Sequence, residues 1–463
     1  MKETRPSRNQ PDPIGRGLVV GRRRFGAGVL AAGAALAAGR AGVTLAATAA
    51  VKEKRRVFAH YMVCCPMSGR DSAVDKYVDE IRLAQSRGVD GFALNCGSWT
   101  QDPKYRAVAA NIFAAAQFLA SDFKLFFSPD GLDREETIAM VSEFYDHPNA
   151  YRFGGKPFLS AWAGDAEWAQ SFLVPLANAG KVFTFVPFFY PEGPRKLFSG
   201  PNIARLVADN RFLDGFFYFG GGKPIESDPA RSARIGRAWH DAGKTYMAPA
   251  MPYYRGLTKN YRLMEFHGFE TMAHYWEAAI DTGAEWVEIV TWNDWGESTY
   301  VADFGSPSST ALWNGHWGPL LSHDAYLAAS AYYMRWFKTG VRRIDRDQLF
   351  WFYRLSPRSS PGFKDPNHKV RYLPDGVETL EDRVFVSVFL AAPARVRIQS
   401  GARTYQFDIA EGAHHLSAAF ALGAQKFSVE RDGRSVLAGE GAFPVSEDNW
   451  GNYNYLSGQA DAI

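Results

Sequence analysis

The chain predicts an α/β fold, a (β/α)8 TIM barrel followed by a C-terminal antiparallel β-sandwich module, on three observations. Short apolar runs rich in β-branched and aromatic residues alternate eight times with stretches that repeat apolar residues at i, i+3 and i+4. No Gly-rich phosphate-binding fingerprint follows the first run, which weighs against the runner-up, an open doubly wound sheet. After Gly340 the helical period gives way to short alternating segments punctuated by Gly and Pro. A length of 463 residues with 46% hydrophobic content suits a barrel with one appendage.

The predicted barrel strands are Val57–Val63, Val89–Asn95, Lys124–Asp130, Pro157–Ala163, Val182–Phe188, Asp214–Phe219, Thr245–Met251 and Trp286–Trp292. Amphipathic stretches between them include Val74–Arg87, Tyr105–Ser121, Glu135–Tyr145 and Ala230–Ala242. Repetition of strand then helix is how parallel strands are wound into a barrel. Beyond it, Leu349–Leu355, Arg383–Leu390, Ala394–Gln399, Arg403–Ile409, His415–Ala421 and Gln425–Arg431 predict the sandwich. Its turns fall at Asp375-Gly376, Ser400-Gly401 and Asp432-Gly433. Ser356–Asp375 reads as a loop inside this module, and Ser446–Ile463 as irregular chain anchored by Trp450, Tyr453 and Tyr455. The module either binds carbohydrate or braces the barrel, with bracing as the default. The expected divisions are therefore 1–50, 51–340 and 341–463.

Residues 1–50 read as an export signal rather than as fold. Arg22-Arg23-Arg24-Phe25 precedes an apolar Ala/Gly-rich run from Gly26 to Gly39, and Ala47-Thr48-Ala49 offers small residues for cleavage. Paired Arg before Phe resembles a twin-arginine leader, which predicts a periplasmic or secreted protein. The run is too short for a stable membrane span, so no membrane association is expected after signal removal. A net charge of +3 is too small to imply a nucleic-acid partner. Three cysteines, Cys64, Cys65 and Cys96, imply no disulfide framework. They also lack His at zinc-ligand spacing, and no Ser sits in a nucleophile elbow. No metal and no cofactor are expected.

The chemistry concentrates in Trp292-Asn293-Asp294-Trp295-Gly296-Glu297, where two acids three positions apart follow an apolar strand, with Gly296 expected to let the backbone turn. Paired carboxylates between aromatic walls suit glycosidic cleavage, because the acids move protons while aromatic faces stack on pyranose rings. The bland alternative is an acid pair capping a following helix. In a barrel the chemistry sits at the C-terminal strand ends, and those ends carry His60 and Tyr61, Asn95 with Trp99 beyond, Asp130, Trp162 and Asp165, Tyr190 and Glu192, Tyr218, Tyr253, and Trp292, Asn293 and Trp295. We read Asp294 and Glu297 as catalytic and the others, Glu192 apart, as substrate-binding. Each also has a structural alternative: His60 as a satisfied core imidazole, Asp130 as a helix cap, Trp162 and Tyr190 as core. Aromatic content of 15% is compatible with a carbohydrate groove.

His60-Tyr61-Met62-Val63, Gly91-Phe92-Ala93-Leu94-Asn95, Lys124-Leu125-Phe126-Phe127-Ser128-Pro129-Asp130 and Val287 through Ser298 resemble glycoside hydrolase family 71, whose members include endo-1,3-α-glucanases, or mutanases. The likeness runs from about Val57 through the β module, and its last motif is the most specific. It implies an inverting hydrolase of α-linked glucan, a barrel with a β-sandwich, and Asp294 and Glu297 as the catalytic pair. Pro129 departs from the family's aromatic at that place, and Cys64-Cys65 from its Gly-containing turn. A related barrel family acting on α-mannosides carries a similar Trp-Asn-acid-Trp-Gly-Glu segment. The alternatives are therefore an α-mannoside endo-hydrolase or a carbohydrate-binding or polysaccharide-processing barrel of weak activity.

Overall fold

The computed structural model describes residues 54–191, 198–220, 229–256, 262–303, 320–360, 363–364, 371–372, 375–447 and 453–462. The leader expected over residues 1–50 and the strand-end residue Glu192 lie outside them.

Strands and helices alternate as the periodicity demands. Their order is β1 (Arg56–Met62), α1 (Val74–Ser86), β2 (Gly91–Cys96), α2 (Pro103–Phe118), β3 (Lys124–Pro129), α3 (Arg134–Glu143), β4 (Arg152–Phe153), β5 (Lys156–Leu159) and α4 (Ala166–Asn178). Then come β6 (Thr184–Phe185), α5 (Gly200–Asp209), β7 (Gly215–Phe217), α6 (Pro229–Asp241), β8 (Thr245–Ala250), α7 (Glu270–Thr282), β9 (Trp286–Ile289) and α8 (Asp324–Thr339). The eight strands other than β4 run parallel in a curled sheet, with β9 paired to β1 as well as β8. β4 is a short antiparallel partner of β5. The segments of β6 and β7 are linked by Asp214 N–H to Phe185 O at 3.1 Å and Phe217 N–H to Pro187 O at 2.9 Å.

Several strands are shorter than the apolar runs suggest. β6 keeps two residues of the expected Val182–Phe188, and β9 stops at Ile289 instead of Trp292. Val186–Phe188 and Val290–Trp292 remain buried beyond the strand ends, where apolar character reports burial and not pairing, while Val182 is exposed. Acidic N-caps begin α2, α3 and α4: Asp102, Asp133 and Asp165 each accept a backbone N–H of the first turn.

Inside the curled sheet the side chains form layers. Trp286 packs edge-on against Phe158 at 4.9 Å, and Phe58 against Phe126 at the same spacing, so aromatic rings fill one layer. Two residues further along β1 and β9, on the same strand faces, stand His60 and Glu288.

The C-terminal region forms two antiparallel sheets. Strands β10 (Gln348–Arg354), β11 (Phe363–Lys364), β12 (Arg371–Tyr372), β13 (Arg383–Leu390), β14 (Ala394–Ser400), β15 (Arg403–Ile409), β16 (Gly412–Ala419), β17 (Gln425–Arg431), β18 (Arg434–Glu440), β19 (Tyr455–Gln459) and β20 (Asp461–Ala462) follow in order. One sheet runs β16-β13-β10-β19 and the other β15-β14-β17-β18-β20, with β11 and β12 paired apart. The end of the chain, expected to be irregular, therefore supplies β19 and β20. Their polar, Gly-containing sequence hides a strand that pairs with β10. Both faces of β10 are buried: Phe350 and Phe352 join the core of the parallel sheet and its helices, while Leu349, Trp351 and Tyr353 face the second sheet. Glu53–Ile463 accordingly form one compact unit.

Candidate active site

The acids sit on a turn built by the residues around them. Past β9 the chain leaves the sheet, and Asn293, fully buried, grips the end of β1: its Oδ1 accepts Met62 N–H at 2.7 Å, and its Nδ2 donates to Met62 O and Cys65 O at 3.1 and 2.9 Å. Trp295 Nε1 donates to the same Cys65 carbonyl at 2.9 Å. Thr291 Oγ1 accepts Asp294 N–H at 2.9 Å, and Asp294 Oδ1 accepts Glu297 N–H at 2.9 Å. Arg255 fastens the far side, donating its N–H to Glu297 O at 2.9 Å and its Nε to Ser298 Oγ at 3.2 Å. Gly296 lies within the turn Trp295–Ser298, as expected, but the left-handed residue there is Ser298, at φ 55°. A Cβ at position 296 would lie 3.4 Å from Asp294 Oδ1, an ordinary contact. No helix begins here, so the acids are not caps.

Both acids stay partly accessible, yet the surrounding protein penalises their charge. Burial, then the Asp294 charge, push Glu297 up to about 8, against the pull of the Tyr254 hydroxyl and Arg262. Tyr254 donates to Glu297 Oε1 at 3.2 Å. Burial also raises Asp294, opposed by the N–H groups of Glu297 and Gly296 and by His60. Asp130 joins the cluster, raised by burial and opposed by Asn95, whose Nδ2 donates to Asp130 Oδ2 at 3.3 Å, and by His60. Asp130 caps no helix, because Asp133 performs that task for α3. Below the acids His60 Nδ1 lies 2.6 Å from Glu288 Oε1, with both side chains almost completely buried.

Of the predicted residues, His60, Asn95, Asp130, Asp294 and Glu297 therefore share one electrostatic cluster. Trp162 is half-buried, pairs through its backbone with Asp130, and meets Phe219 edge-on at 6.0 Å, while Phe219 meets His60 at 5.1 Å. The others make the following contacts. Tyr61 and Trp292 face outward onto α1, donating to the two oxygens of buried Glu80 at 3.0 and 2.8 Å. Trp99 is core, edge-on to Phe127 and Phe144. Asp165 caps α4 through Trp168 N–H at 2.8 Å, and with Tyr190 lines a small cleft against α5. Tyr218 is buried between Phe198 and Phe188. Tyr253 donates to Tyr453 O at 2.7 Å, and Asn293 and Trp295 hold the turn.

Sequence reasoning missed Glu288, Tyr254, Arg262 and Phe219. Glu288 carried a signal, a lone acid inside the apolar run Trp286–Val290. Tyr254 and Phe219 are neighbours of predicted residues, one position out of phase. Among the described residues no cluster of three or more His, Cys, Asp or Glu is arranged to hold a metal ion.

The family model of glycosyl hydrolase family 71 matches residues 53–462. The chain belongs to glycosyl hydrolase family 71. It is thus a hydrolase of O-glycosyl bonds. A mutanase of Penicillium rubens is 27% identical over 415 residues, covering 87% of this chain and 88% of its own. The glucan endo-1,3-alpha-glucosidase agn1 of Schizosaccharomyces pombe is 28% identical over 407 residues, covering 83% and 90%. Among solved structures, a GH99 endo-alpha-mannosidase from Bacteroides thetaiotaomicron aligns over 61% of this family 71 chain and 97% of its own, with a TM-score of 0.48 and 16% identity.

Proposed function

We propose that the protein is an exported endo-1,3-α-glucanase that cleaves α-linked glucan with inversion, Glu297 acting as general acid and Asp294 as general base. The observation that carries this reading is the Asp294–Glu297 turn, in which one acid is pushed up to about 8 beside a second acid that accepts its backbone N–H. Glu297 enters the reaction protonated and donates to the leaving glycosidic oxygen. Asp294 takes a proton from water attacking the anomeric carbon from the opposite face. Asp130, oriented by Asn95, assists by holding a sugar hydroxyl or the water, and Trp162 and Phe219 wall the groove. We read the sheet as a closed (β/α)8 barrel over residues 51–340, the β6–β7 backbone hydrogen bonds supporting closure, and residues 341–463 as a bracing sandwich. The glucanase relatives support an α-linked glucan as the substrate. The twin-arginine-like leader supports export; no helix among the described residues is long and apolar enough to cross a membrane.

The test is hydrolysis of α-1,3-glucan, other α-glucans and α-mannans, scored for new reducing ends with the anomer detected as it forms. Expected is release of the β-anomer from α-1,3-glucan, with Asp294→Asn and Glu297→Gln each slowing turnover by about 10²–10⁴-fold. Near wild-type turnover in either variant, or retention of configuration, overturns the assignment. Glycan binding without new reducing ends would instead indicate a binding barrel.

A further inference from the structure

The pair His60–Glu288 has no part in the acid/base reading above, and its setting is unusual. Both residues are shut off from solvent, at 1% and 0% exposure, and their contact is 2.6 Å. Glu288 Oε2 and His60 Nε2 are buried without a hydrogen-bond partner among the described residues. A carboxylate so placed is costly unless it is neutralised. Burial accordingly raises Glu288, against the hold of His60.

The backbone ties the strand that carries the imidazole to the segment that carries the acids. Trp292 N–H donates to His60 O at 2.7 Å, and two residues on, Met62 N–H is gripped by Asn293, the neighbour of Asp294. The ionisable groups around the pair are Asp130 after β3 and Asp294 and Glu297 after β9. Cys96 on β2 adjoins Asp130, while Tyr254 and Arg262 act on Glu297. Among these neighbours of Asp130 and Asp294, the imidazole is the group able to carry positive charge that opposes the raising of both.

We propose that Glu288 and His60 share one buried proton, so that His60 Nε2–H is a fixed donor on the floor of the site that keeps Asp294 anionic and positioned as the base. The proton balance is simple. If Glu288 is ionised, His60 is an imidazolium and both nitrogens carry hydrogen. If Glu288 keeps the proton, it donates to Nδ1, and the neutral ring must then carry its hydrogen on Nε2. Either arrangement leaves the pair neutral and keeps a hydrogen on Nε2, the ring nitrogen that Glu288 does not occupy. Losing the shared proton would add a third negative charge under Asp130 and Asp294. Glu288 is thus a positioning residue acting through His60.

This rests on Asp294 being the base, and the experiment separates the two ideas. On an α-1,3-linked oligosaccharide, Glu288→Gln is expected to lower kcat about 10²-fold with KM changed less than about threefold. Its acidic limb should move to higher pH by about one unit, because a neutral amide no longer holds an imidazolium and Asp294 loses the positive charge that the ionised form of the pair places near it. Glu288→Asp should restore part of kcat. A Glu288→Gln pH profile superimposable on wild type overturns the pair's role even while Asp294→Asn is inactive. An active Asp294→Asn overturns the base assignment instead. A second measurement needs no folded Glu288 variant: imidazole ¹⁵N shifts of wild-type enzyme labelled at its 10 histidines, with His60 assigned by its loss in His60→Gln. Nε2 of His60 should carry its hydrogen in the active enzyme, and an unprotonated Nε2 there refutes the proposal.

Discussion

Asp294 Oδ1 accepts the backbone N–H of Glu297 at 2.9 Å, so the two acids of the turn are tied together by the chain that carries them. The bond stabilises the ionised form of Asp294 and fixes its carboxylate beside a glutamate that burial and the Asp294 charge push up to about 8. Burial raises both acids, and the N–H groups that point at Asp294 oppose the rise there, which fits the proposed roles of Glu297 as donor and Asp294 as acceptor of a proton.

Turnover should therefore fall on the alkaline side as Glu297 loses its proton near pH 8. In Asp294→Asn the neighbouring charge is gone, so Glu297 should titrate at lower pH. Carboxyl ¹³C shifts measured against pH in the wild type and in this variant check both statements. An unmoved Glu297 titration contradicts them.

Neighbouring tyrosines make an internal contrast. Tyr254 touches Glu297, whereas Tyr253 points the other way to Tyr453 O. Tyr254→Phe removes a donor to the ionised acid, so the alkaline limb should shift upward by about half a unit with folding intact. Tyr253→Phe should leave the pH profile alone and lower stability by about 1–2 kcal/mol. Rate profiles and melting curves of the two variants distinguish the roles.

The same contrast explains what could be read in advance. The strand–helix alternation was legible because burial imposes a period on apolar residues, and the acid pair because two carboxylates beside tryptophans have few scaffold uses. Side-chain direction at the strand ends was not. Tyr61 against His60, Tyr218 against Phe219, and Tyr253 against Tyr254 each differ by one position, and one position turns a side chain from the site to the helices. Aromatic residues line both faces of these strands, so composition could not choose. The hidden strand β19 escaped because its pairing with β10 is long-range.

Cys65 serves the site through its carbonyl, which accepts from Asn293 and Trp295. Cys65→Ser and Cys64→Ser should thus keep most activity, within about threefold, because a side-chain exchange leaves that carbonyl in place. Asn293→Ala deletes three anchoring bonds and should cost about 3 kcal/mol together with most turnover. Loss of activity in the serine variants would reveal a chemical role for the thiols.

Glu80, buried behind Tyr61 and Trp292, is raised by burial to about 7 despite the two bonds it accepts. Its folded-state value lies above its unfolded one. The stability it contributes is present below the ordinary glutamate range and lost as pH rises through 7, roughly 3 kcal/mol in all. Glu80→Gln keeps an acceptor for Trp292 and meets the Tyr61 oxygen with an amide donor. It should be active and less destabilised than wild type between pH 5 and 8. Parallel denaturation curves across that range test the sign.

The parallel sheet with its helices and the β-sandwich should not separate. Phe352 lies against Phe269 and Tyr326, and Phe389 against Tyr332 and Tyr333, so β10 and β13 form a wall of the helical core. Buried Glu265 pairs with Arg354 at 2.7 Å, accepts Glu381 N–H at 2.9 Å, and also takes the Tyr455 hydroxyl. Burial alone would raise Glu265, and Arg354 holds it below the usual range. Glu265→Gln strands a buried guanidinium and should cost about 3–5 kcal/mol. A chain ending at Gly340 exposes these aromatic faces at once and should be insoluble, with no cooperative melting. A soluble, active truncated protein would show that the sandwich is an independent attachment and that the Phe350–Phe352 face adds little to the fold.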